Sequence, residues 1–159
     1  MQQLPVKYRM MDSKARRPEQ GVSGLSLYAL SETLKNGKQG STVVYDTGVE
    51  FQIPKGFLGL IYLDRSAATS TLTMQQSPYI VTPEDRGSIK LTLKNFSQFG
   101  SKLGIGSKIA ELIVIPQIQI QLEEVVSEEQ VEKRDRTLQR DNQEIEVGSE
   151  TVTETSPES

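Results

Sequence analysis

The sequence predicts an all-β domain followed by an acidic tail. Apolar and polar residues alternate with a period of two in several short runs, and glycine, proline, asparagine or aspartate separates these runs about every 8–12 residues. No stretch before residue 123 keeps the 3.6-residue period of an amphipathic helix. The 159 residues are enough for one domain with a buried core. We therefore expect a β sandwich or barrel over residues 1–125 and a separate tail over residues 126–159.

The predicted strands begin after a polar loop over residues 34–41. Residues 42–45 are β-branched or aromatic, and residues 49–53 alternate apolar and polar up to Pro54. Residues 57–63 are densely apolar, so we expect this strand to be buried on both faces. The remaining predicted strands lie at 89–94 and at 113–122, where Pro116 interrupts the alternation.

The tail differs from the body in charge and composition. Residues 123–159 carry 12 acidic and 4 basic side chains, a net charge of −8, whereas residues 1–122 carry +5. Ser127 and Gln130 fit a capping box, and Val131, Leu138 and Ile145 recur every seven residues. A helix over residues 128–141 and a disordered tail both fit this pattern. We expect disorder over residues 146–159, which are rich in Glu, Thr and Ser.

The residue types that are missing limit the chemistry. The chain has no cysteine and no histidine, which excludes disulfides and removes the most common general base and metal ligand near neutral pH. Any acid–base step would fall to Asp, Glu, Lys or Tyr. No apolar run approaches the roughly 20 residues of a membrane helix, and the first residues do not form a secretory signal. We therefore expect an intracellular protein with no membrane partner.

One basic cluster near the N-terminus has two interpretations. Lys14, Arg16 and Arg17 lie within four positions of one another. They fit a solvated margin of a strand, and they also fit a contact with an anionic partner.

Four ordered signatures connect the chain to a known family. Residues 21–29 form a Gly/Ser-rich turn that enters an apolar run, and Pro54, Gly56 and Gly59 precede Arg65-Ser66. Residues 79–88 and 106–112 follow in that order. In sequence and spacing this set resembles the trimeric dUTPase family, whose members cleave dUTP to dUMP and pyrophosphate. The resemblance implies a distorted jelly-roll barrel and a homotrimer.

The resemblance also assigns binding positions. In the family, the arginine and serine of the second signature contact the phosphates, and the third and fourth signatures complete the nucleotide site. The corresponding vestigial phosphate- or nucleotide-binding positions in this chain are Arg65, Ser66, Arg86, Gly87, Lys108 and Glu111. A guanidinium, an ammonium and a hydroxyl are all donors that suit a phosphate oxygen.

Departures from the family pattern affect every signature. Ser26 takes the place of an aspartate in the first, and Asp64 takes the place of a proline in the second, which puts a carboxylate beside Arg65. Thr82 occupies the position of the catalytic aspartate, and a threonine hydroxyl cannot serve as a general base near neutral pH. Asp85 occupies the position of a tyrosine that packs on the sugar.

The last two signatures depart further. Lys108 replaces an arginine and Glu111 replaces a glutamine, which adds a negative charge where a phosphate would bind. The fifth signature, a glycine-rich lid over the phosphates, has no counterpart after residue 123.

These departures predict a dUTPase-like pseudoenzyme that serves as a trimeric structural or protein-interaction module. The first alternative is an active dUTP diphosphatase or related nucleotide hydrolase, in which Glu84 or Asp85 acts as the base with Mg²⁺. The second is a regulator that binds a nucleotide or a partner without turnover.

Outside the hydrolase alternative we expect no cofactor and no metal site. The expected partners are further copies of the chain and an unidentified protein, with no specific nucleic acid. Because small dUTPase-like chains occur in viruses and phages, a viral source and a virion location are also open.

Overall fold

The computed structural model describes residues 3–35, 41–68, 71–96 and 103–150. Contacts between Cα atoms divide the chain into two units, residues 1–118 and residues 119–159. The predicted boundary after residue 125 stays a prediction. In the described part of the first unit, every regular element is a strand. The strands are β1 (Lys7–Met10), β2 (Glu19–Gln20), β3 (Leu25–Tyr28), β4 (Ser31–Lys35), β5 (Ser41–Asp46), β6 (Val49–Gln52), β7 (Phe57–Leu63), β8 (Leu72–Met74), β9 (Tyr79–Val81), β10 (Lys90–Asn95) and β11 (Lys108–Pro116).

These strands form three sheets in which all pairings are antiparallel. The largest has the order β2-β3-β11-β7-β9, the second has the order β4-β5-β10-β8, and β1 pairs with β6 in a two-stranded ribbon. One hydrophobic cluster takes side chains from both larger sheets, as in a β sandwich. Its largest fully buried members include Leu27, Tyr45, Phe51, Ile61, Leu91, Leu93, Ile109 and Leu112. The all-β expectation for the body is confirmed.

Two strand predictions were wrong in detail. β7 is not buried on both faces, because its side chains alternate in burial and Tyr62 is 39% exposed. The expected strand over 113–122 ends at Pro116 and begins earlier, at Lys108, while residues 117–127 have no regular secondary structure. Proline cannot donate a ladder hydrogen bond, so a strand end at this residue is physically reasonable. Of the predicted loop over residues 34–41, Leu34 and Lys35 belong to β4, Ser41 begins β5, and residues 36–40 lie outside the described residues.

In the second unit, residues Glu128–Glu150 form the helix α1. The N–H of Ser127 donates to the Gln130 side-chain oxygen at 3.2 Å, as half of a capping box does, and the N–H of Gln130 donates to the Ser127 carbonyl. The helix therefore begins where the sequence predicted, but it runs nine residues beyond 141. The expectation of disorder was wrong for residues 146–150, and residues 151–159 lie outside the described residues. Within the described parts of the chain, no helix combines the length and apolar character needed to span a membrane.

Candidate functional site

The signature residues form two groups at opposite ends of β7. Val81 pairs with Gly59 near the start of β7, so Thr82 and the following turn lie beyond that end. Leu63 at the other end pairs with Ala110 of β11, next to Arg65 and the fourth signature. At a rise of about 3.3 Å per residue, the six steps from position 58 to position 64 span about 20 Å. We call the group from Thr82 to Gly87 the hairpin half. The group at the other end, around Arg65 and residues 106–112, is the phosphate half. Within one chain the two halves do not meet.

The phosphate half contains a set of mutual contacts that we call the Asp64–Lys108 cluster, made of Asp64, Ser66, Lys108 and Glu111. Asp64 Oδ2 accepts the Ser66 N–H at 3.0 Å and also the Ser66 hydroxyl. Lys108 Nζ lies 2.9 Å from Asp64 Oδ1 and 2.5 Å from Glu111 Oε1. Two of the donors expected to meet phosphate, Ser66 and Lys108, are thus already bound to carboxylates of the same chain.

Local backbone structure brings these side chains together. Asp64 follows β7 and begins a turn, in which the N–H groups of Ala67 and Ala68 donate to its carbonyl at 3.0 and 2.9 Å. In β11 the register with β3 shifts between Lys108 and Ala110, as at a β-bulge. Residues three apart on a regular strand point to opposite faces, and a bulge reverses that alternation. The bulge therefore allows Lys108 and Glu111 to meet.

The electrostatics of the cluster favour its charged form. Hydrogen bonds to Glu111 and Asp64 raise the pKa of Lys108. Partial burial would raise the pKa of Asp64, but the Ser66 hydroxyl and the Lys108 ammonium outweigh burial and hold that pKa below its ordinary value. The cluster therefore sets two carboxylates against one ammonium.

The other residues of this half lie around the cluster. Ser26 is buried and pairs with Glu111 in the β3–β11 register. Close packing explains the glycine at position 24, where a Cβ would lie 2.4 Å from the Leu112 carbonyl oxygen. Arg65 is exposed and forms no ion pair among the described residues. Asp64, the chain neighbour of Arg65, forms its ion pair with Lys108 at 2.9 Å.

The hairpin half is a closed turn from Thr82 to Asp85. The Asp85 N–H donates to the Thr82 carbonyl at 3.2 Å, and the Thr82 N–H donates to Asp85 Oδ2 at 2.6 Å. Pro83 occupies the second position of the turn, which its fixed φ favours. Asp85 is therefore engaged in closing the turn, whereas Glu84 is exposed.

Contacts of Arg86 and Gly87 fix the end of the turn. The resemblance assigned both residues to the nucleotide site, but it did not indicate these contacts. Arg86 Nη1 donates to the carbonyls of Pro83 and Asp85 at 2.8 and 2.6 Å. Gly87 has a φ of +95°, a conformation that favours glycine, and its N–H donates to Glu50 Oε2 at 2.7 Å. Glu50 is buried on β6 and was not predicted as a site residue, because the alternation of residues 49–53 placed it on the polar face.

A cavity of about 690 Å³ lies beside the hairpin half. Its lining combines apolar residues with three cationic side chains and one acidic side chain: Leu4, Pro5, Lys7, Gln52, Ile53, Pro54, Lys55, Pro83, Glu84 and Arg86. Among the described residues, no group of three Asp or Glu side chains could hold a metal ion.

The N-terminal basic cluster is partly tied to the body. The Arg16 guanidinium lies 3.7 Å from the centre of the Tyr28 ring, and it donates to Glu19 at 3.1 Å and to the Gly106 carbonyl at 3.4 Å. The Tyr28 hydroxyl donates to the same carboxylate at 3.0 Å. Arg16 thus links the N-terminal segment to the loop before Lys108.

Comparisons with known proteins agree with this fold. A deoxyuridine 5'-triphosphate nucleotidohydrolase from Clostridium acetobutylicum is 27% identical over 124 residues, which cover 76% of this chain and 84% of that protein. One from Dictyoglomus turgidum is 32% identical over 117 residues, which cover 71% of this chain and 79% of that protein. Among solved structures, the dUTPase of Staphylococcus bacteriophage 80alpha gives a TM-score of 0.63 at 17% identity, covering 77% of this chain and 97% of that chain. The dUTPase of phage phi11 of S. aureus gives 0.61 at 19% identity, covering 78% and 97%. The family model for dUTPase matches residues 13–140, and the chain belongs to the dUTPase family.

Proposed function

We propose that this dUTPase-family chain does not hydrolyse dUTP and serves as a trimeric structural or protein-interaction module. The observation that carries the proposal is the engagement of the donors in the phosphate half: Ser66 and Lys108 are held by Asp64 and Glu111. A triphosphate would have to displace two carboxylates that already make short, charge-assisted contacts. The two carboxylates lie at a partly buried site and also repel the negatively charged triphosphate.

The hairpin half supports the same proposal. Hydrolysis needs a group that takes a proton from the attacking water. Thr82 offers a neutral hydroxyl at the family position, and the nearby Asp85 carboxylate is bound to the Thr82 N–H at 2.6 Å. Asp85 also stands where the family has a tyrosine, so this position offers no aromatic ring that could pack on the deoxyribose.

Self-association has separate support. Members of the dUTPase family are generally homotrimeric. In this protomer, Ile118, Leu122 and Val125 are 81%, 91% and 92% exposed, although residues 117–126 carry an alternating apolar pattern. Exposed apolar residues in one continuous segment are typical of an interaction surface. We infer that this segment packs on a neighbouring subunit, where it would bury these side chains.

An active hydrolase is the second candidate, because relatives from Clostridium acetobutylicum and Dictyoglomus turgidum are named deoxyuridine 5'-triphosphate nucleotidohydrolases. Glu84 is exposed and lines the 690 Å³ cavity with Lys7, Lys55 and Arg86. The same cationic lining supports the third candidate, a regulator that binds a nucleotide or an acidic partner without turnover. A viral source remains a prediction, with phage dUTPases among the proteins of similar fold.

A pyrophosphate-release assay separates these candidates. The full chain is incubated with dUTP, dCTP or dTTP and Mg²⁺, with the Clostridium acetobutylicum relative as a positive control. We expect no release above the rate without protein. Turnover near the usual enzyme median of about 10 per second would overturn the proposal. Calorimetry with a non-hydrolysable dUTP analogue then distinguishes the regulator from the module, because only the regulator binds the analogue.

A further inference from the structure

The 690 Å³ cavity beside the hairpin half has apolar walls. They include Leu4, which is 40% exposed, together with Ile53 and three prolines, Pro5, Pro54 and Pro83. A proline has no N–H group and its ring fixes φ, so these positions are stiff and offer no backbone donor to a ligand. The volume lies within the range of about 300–1,000 Å³ that is typical of ligand pockets. The cavity is therefore suited to an apolar group of moderate size.

Three cations line the same cavity from three separate segments. Lys7 lies on β1, Lys55 lies in the turn after β6, and Arg86 follows the hairpin turn. All three residues are exposed, and neither lysine forms an ion pair among the described residues. Of the described residues that line the cavity, Glu84 is the one with an acidic side chain. The cavity thus carries a net positive charge, which is complementary to an acidic ligand.

Backbone contacts hold these segments in place within the single chain. Lys7 pairs with Gln52 in the β1–β6 register. The turn that carries Lys55 is closed by the Phe57 N–H, which donates to the Pro54 carbonyl at 3.1 Å. The guanidinium after the hairpin turn donates through Nη1 to two carbonyls of that turn, and a guanidinium has further N–H donors for a ligand. A site that is formed in advance loses less conformational entropy when a ligand binds.

We propose that this cavity binds an acidic segment of a partner protein, in which glutamates or aspartates flank an apolar residue. The apolar residue packs on Leu4 and the proline walls, and the flanking carboxylates pair with Lys7, Lys55 and Arg86. The proposal rests on the proposed function, because it names the class of partner that the interaction module takes. A ligand recognised by charge alone, such as a free phosphate, would leave the apolar walls in contact with water.

The test is fluorescence anisotropy of a labelled pentapeptide, with a central leucine and two glutamates on each side, titrated with the full-length protein. We expect saturable binding. The variant Lys7→Gln with Lys55→Gln should weaken it by about fivefold or more, because two exposed ion pairs with modest individual contributions are lost. Glu84→Gln should act in the opposite direction and strengthen binding by about twofold, because it removes a like charge from the cavity. These three residues are exposed, so the fold does not depend on burying them.

A matched control separates a local effect from the general change in charge. Lys14→Gln with Lys94→Gln removes two exposed lysines that do not line the cavity, and binding should stay within about twofold of the unmodified chain. Equal losses in the control and in Lys7→Gln with Lys55→Gln would overturn the proposal. Unchanged binding in the cavity variant, shown to be folded by its circular dichroism, would overturn it too, and so would weaker binding in Glu84→Gln.

A second measurement varies the peptide and keeps the chain unmodified, so it does not depend on the folding of a variant. Serine in place of the central leucine should weaken binding by about fivefold or more, because the apolar contact is lost. Lysine in place of every glutamate should abolish binding. A serine peptide that binds as tightly as the leucine peptide would overturn the proposal, and so would a leucine peptide that does not bind.

Both experiments measure peptide binding in the absence of dUTP. Their failure would therefore leave the absence of dUTP hydrolysis to be judged by the pyrophosphate assay, and the assembly to be judged by light scattering.

Discussion

The carboxylate of Glu50 accepts the backbone N–H of Gly87 at 2.7 Å, and this contact joins strand β6 to the loop that follows the hairpin half. Arg9 of the paired strand β1 lies 3.8 Å from the other carboxylate oxygen. The Gly87 N–H is the main cause that lowers the pKa of Glu50, and Arg9 adds to it, whereas burial opposes both. Glu50 is therefore charged in the folded protein, where it holds three segments together.

Replacing Glu50 by glutamine should lower the melting temperature at pH 7 by about 3–6 °C, because a charge-assisted hydrogen bond becomes a neutral one. The folded-state pKa lies below the ordinary value of 4.5. The stabilisation is therefore present above that pH and is lost as the pH falls through the folded-state pKa. Differential scanning fluorimetry from pH 7 to pH 3 should show the melting temperatures of the unmodified chain and of Glu50→Gln converging in acid. A gap of constant size across this range would argue against the assignment.

Thr82→Asp alone should not restore dUTP hydrolysis. The new carboxylate would stand at the family position of the base, but Asp64 and Glu111 would still occupy the phosphate donors. Each missing preorganised group typically costs 10²–10³ in rate. The measurement is pyrophosphate release with dUTP and Mg²⁺, and the unmodified chain is the control. Release well above that control would show that the other departures from the family pattern are harmless.

Charges placed in the segment after β11 should prevent assembly. If the chain forms the proposed trimer, Ile120→Glu with Leu122→Glu is expected to give a monomer at micromolar concentration, because both side chains are exposed in the single chain and would pack between subunits in the proposed assembly. Light scattering gives the mass. Val22→Glu with Ile105→Glu alters two exposed apolar residues elsewhere and should leave the mass of the unmodified chain unchanged. The prediction fails if the unmodified chain is itself monomeric.

Deleting residues 127–159 should leave the stability of the first unit nearly unchanged. The tail has little apolar surface to bury, because Val131, Leu138 and Ile145 are the apolar residues among positions 127–146. We expect the melting temperature measured by calorimetry to move by less than about 2 °C. A drop of 10 °C or more would mean that the helix packs against another subunit.

The sequence predicted the body of the fold because its signals are local. Alternation over residues 49–53 and 89–94 and the break at Pro54 correspond to β6, β10 and the turn before β7. β1 and β2 were missed because they are short and largely exposed, so they lack an apolar stripe. The helix extends beyond residue 141 because Glu, Gln and Arg have good helix propensity, which the heptad pattern alone does not capture.

The site residues were predicted by resemblance, and their partners were not. The spacing of Arg65, Ser66 and Lys108 identifies donors, but it does not show that Asp64 and Glu111 take them. That arrangement depends on the bulge in β11 and on the turn after β7, which have no clear sequence signal. Glu50 was missed for a similar reason, since its burial depends on pairing between β6 and β1.

The double hold on Lys108 also makes the charge balance of the cluster tolerant of substitution. Without the Asp64 carboxylate the ammonium would stay bound to Glu111, and without the Glu111 carboxylate it would stay bound to Asp64. A change at either position alone therefore leaves Lys108 with an anionic partner, and only a change at both positions removes its partners in the cluster.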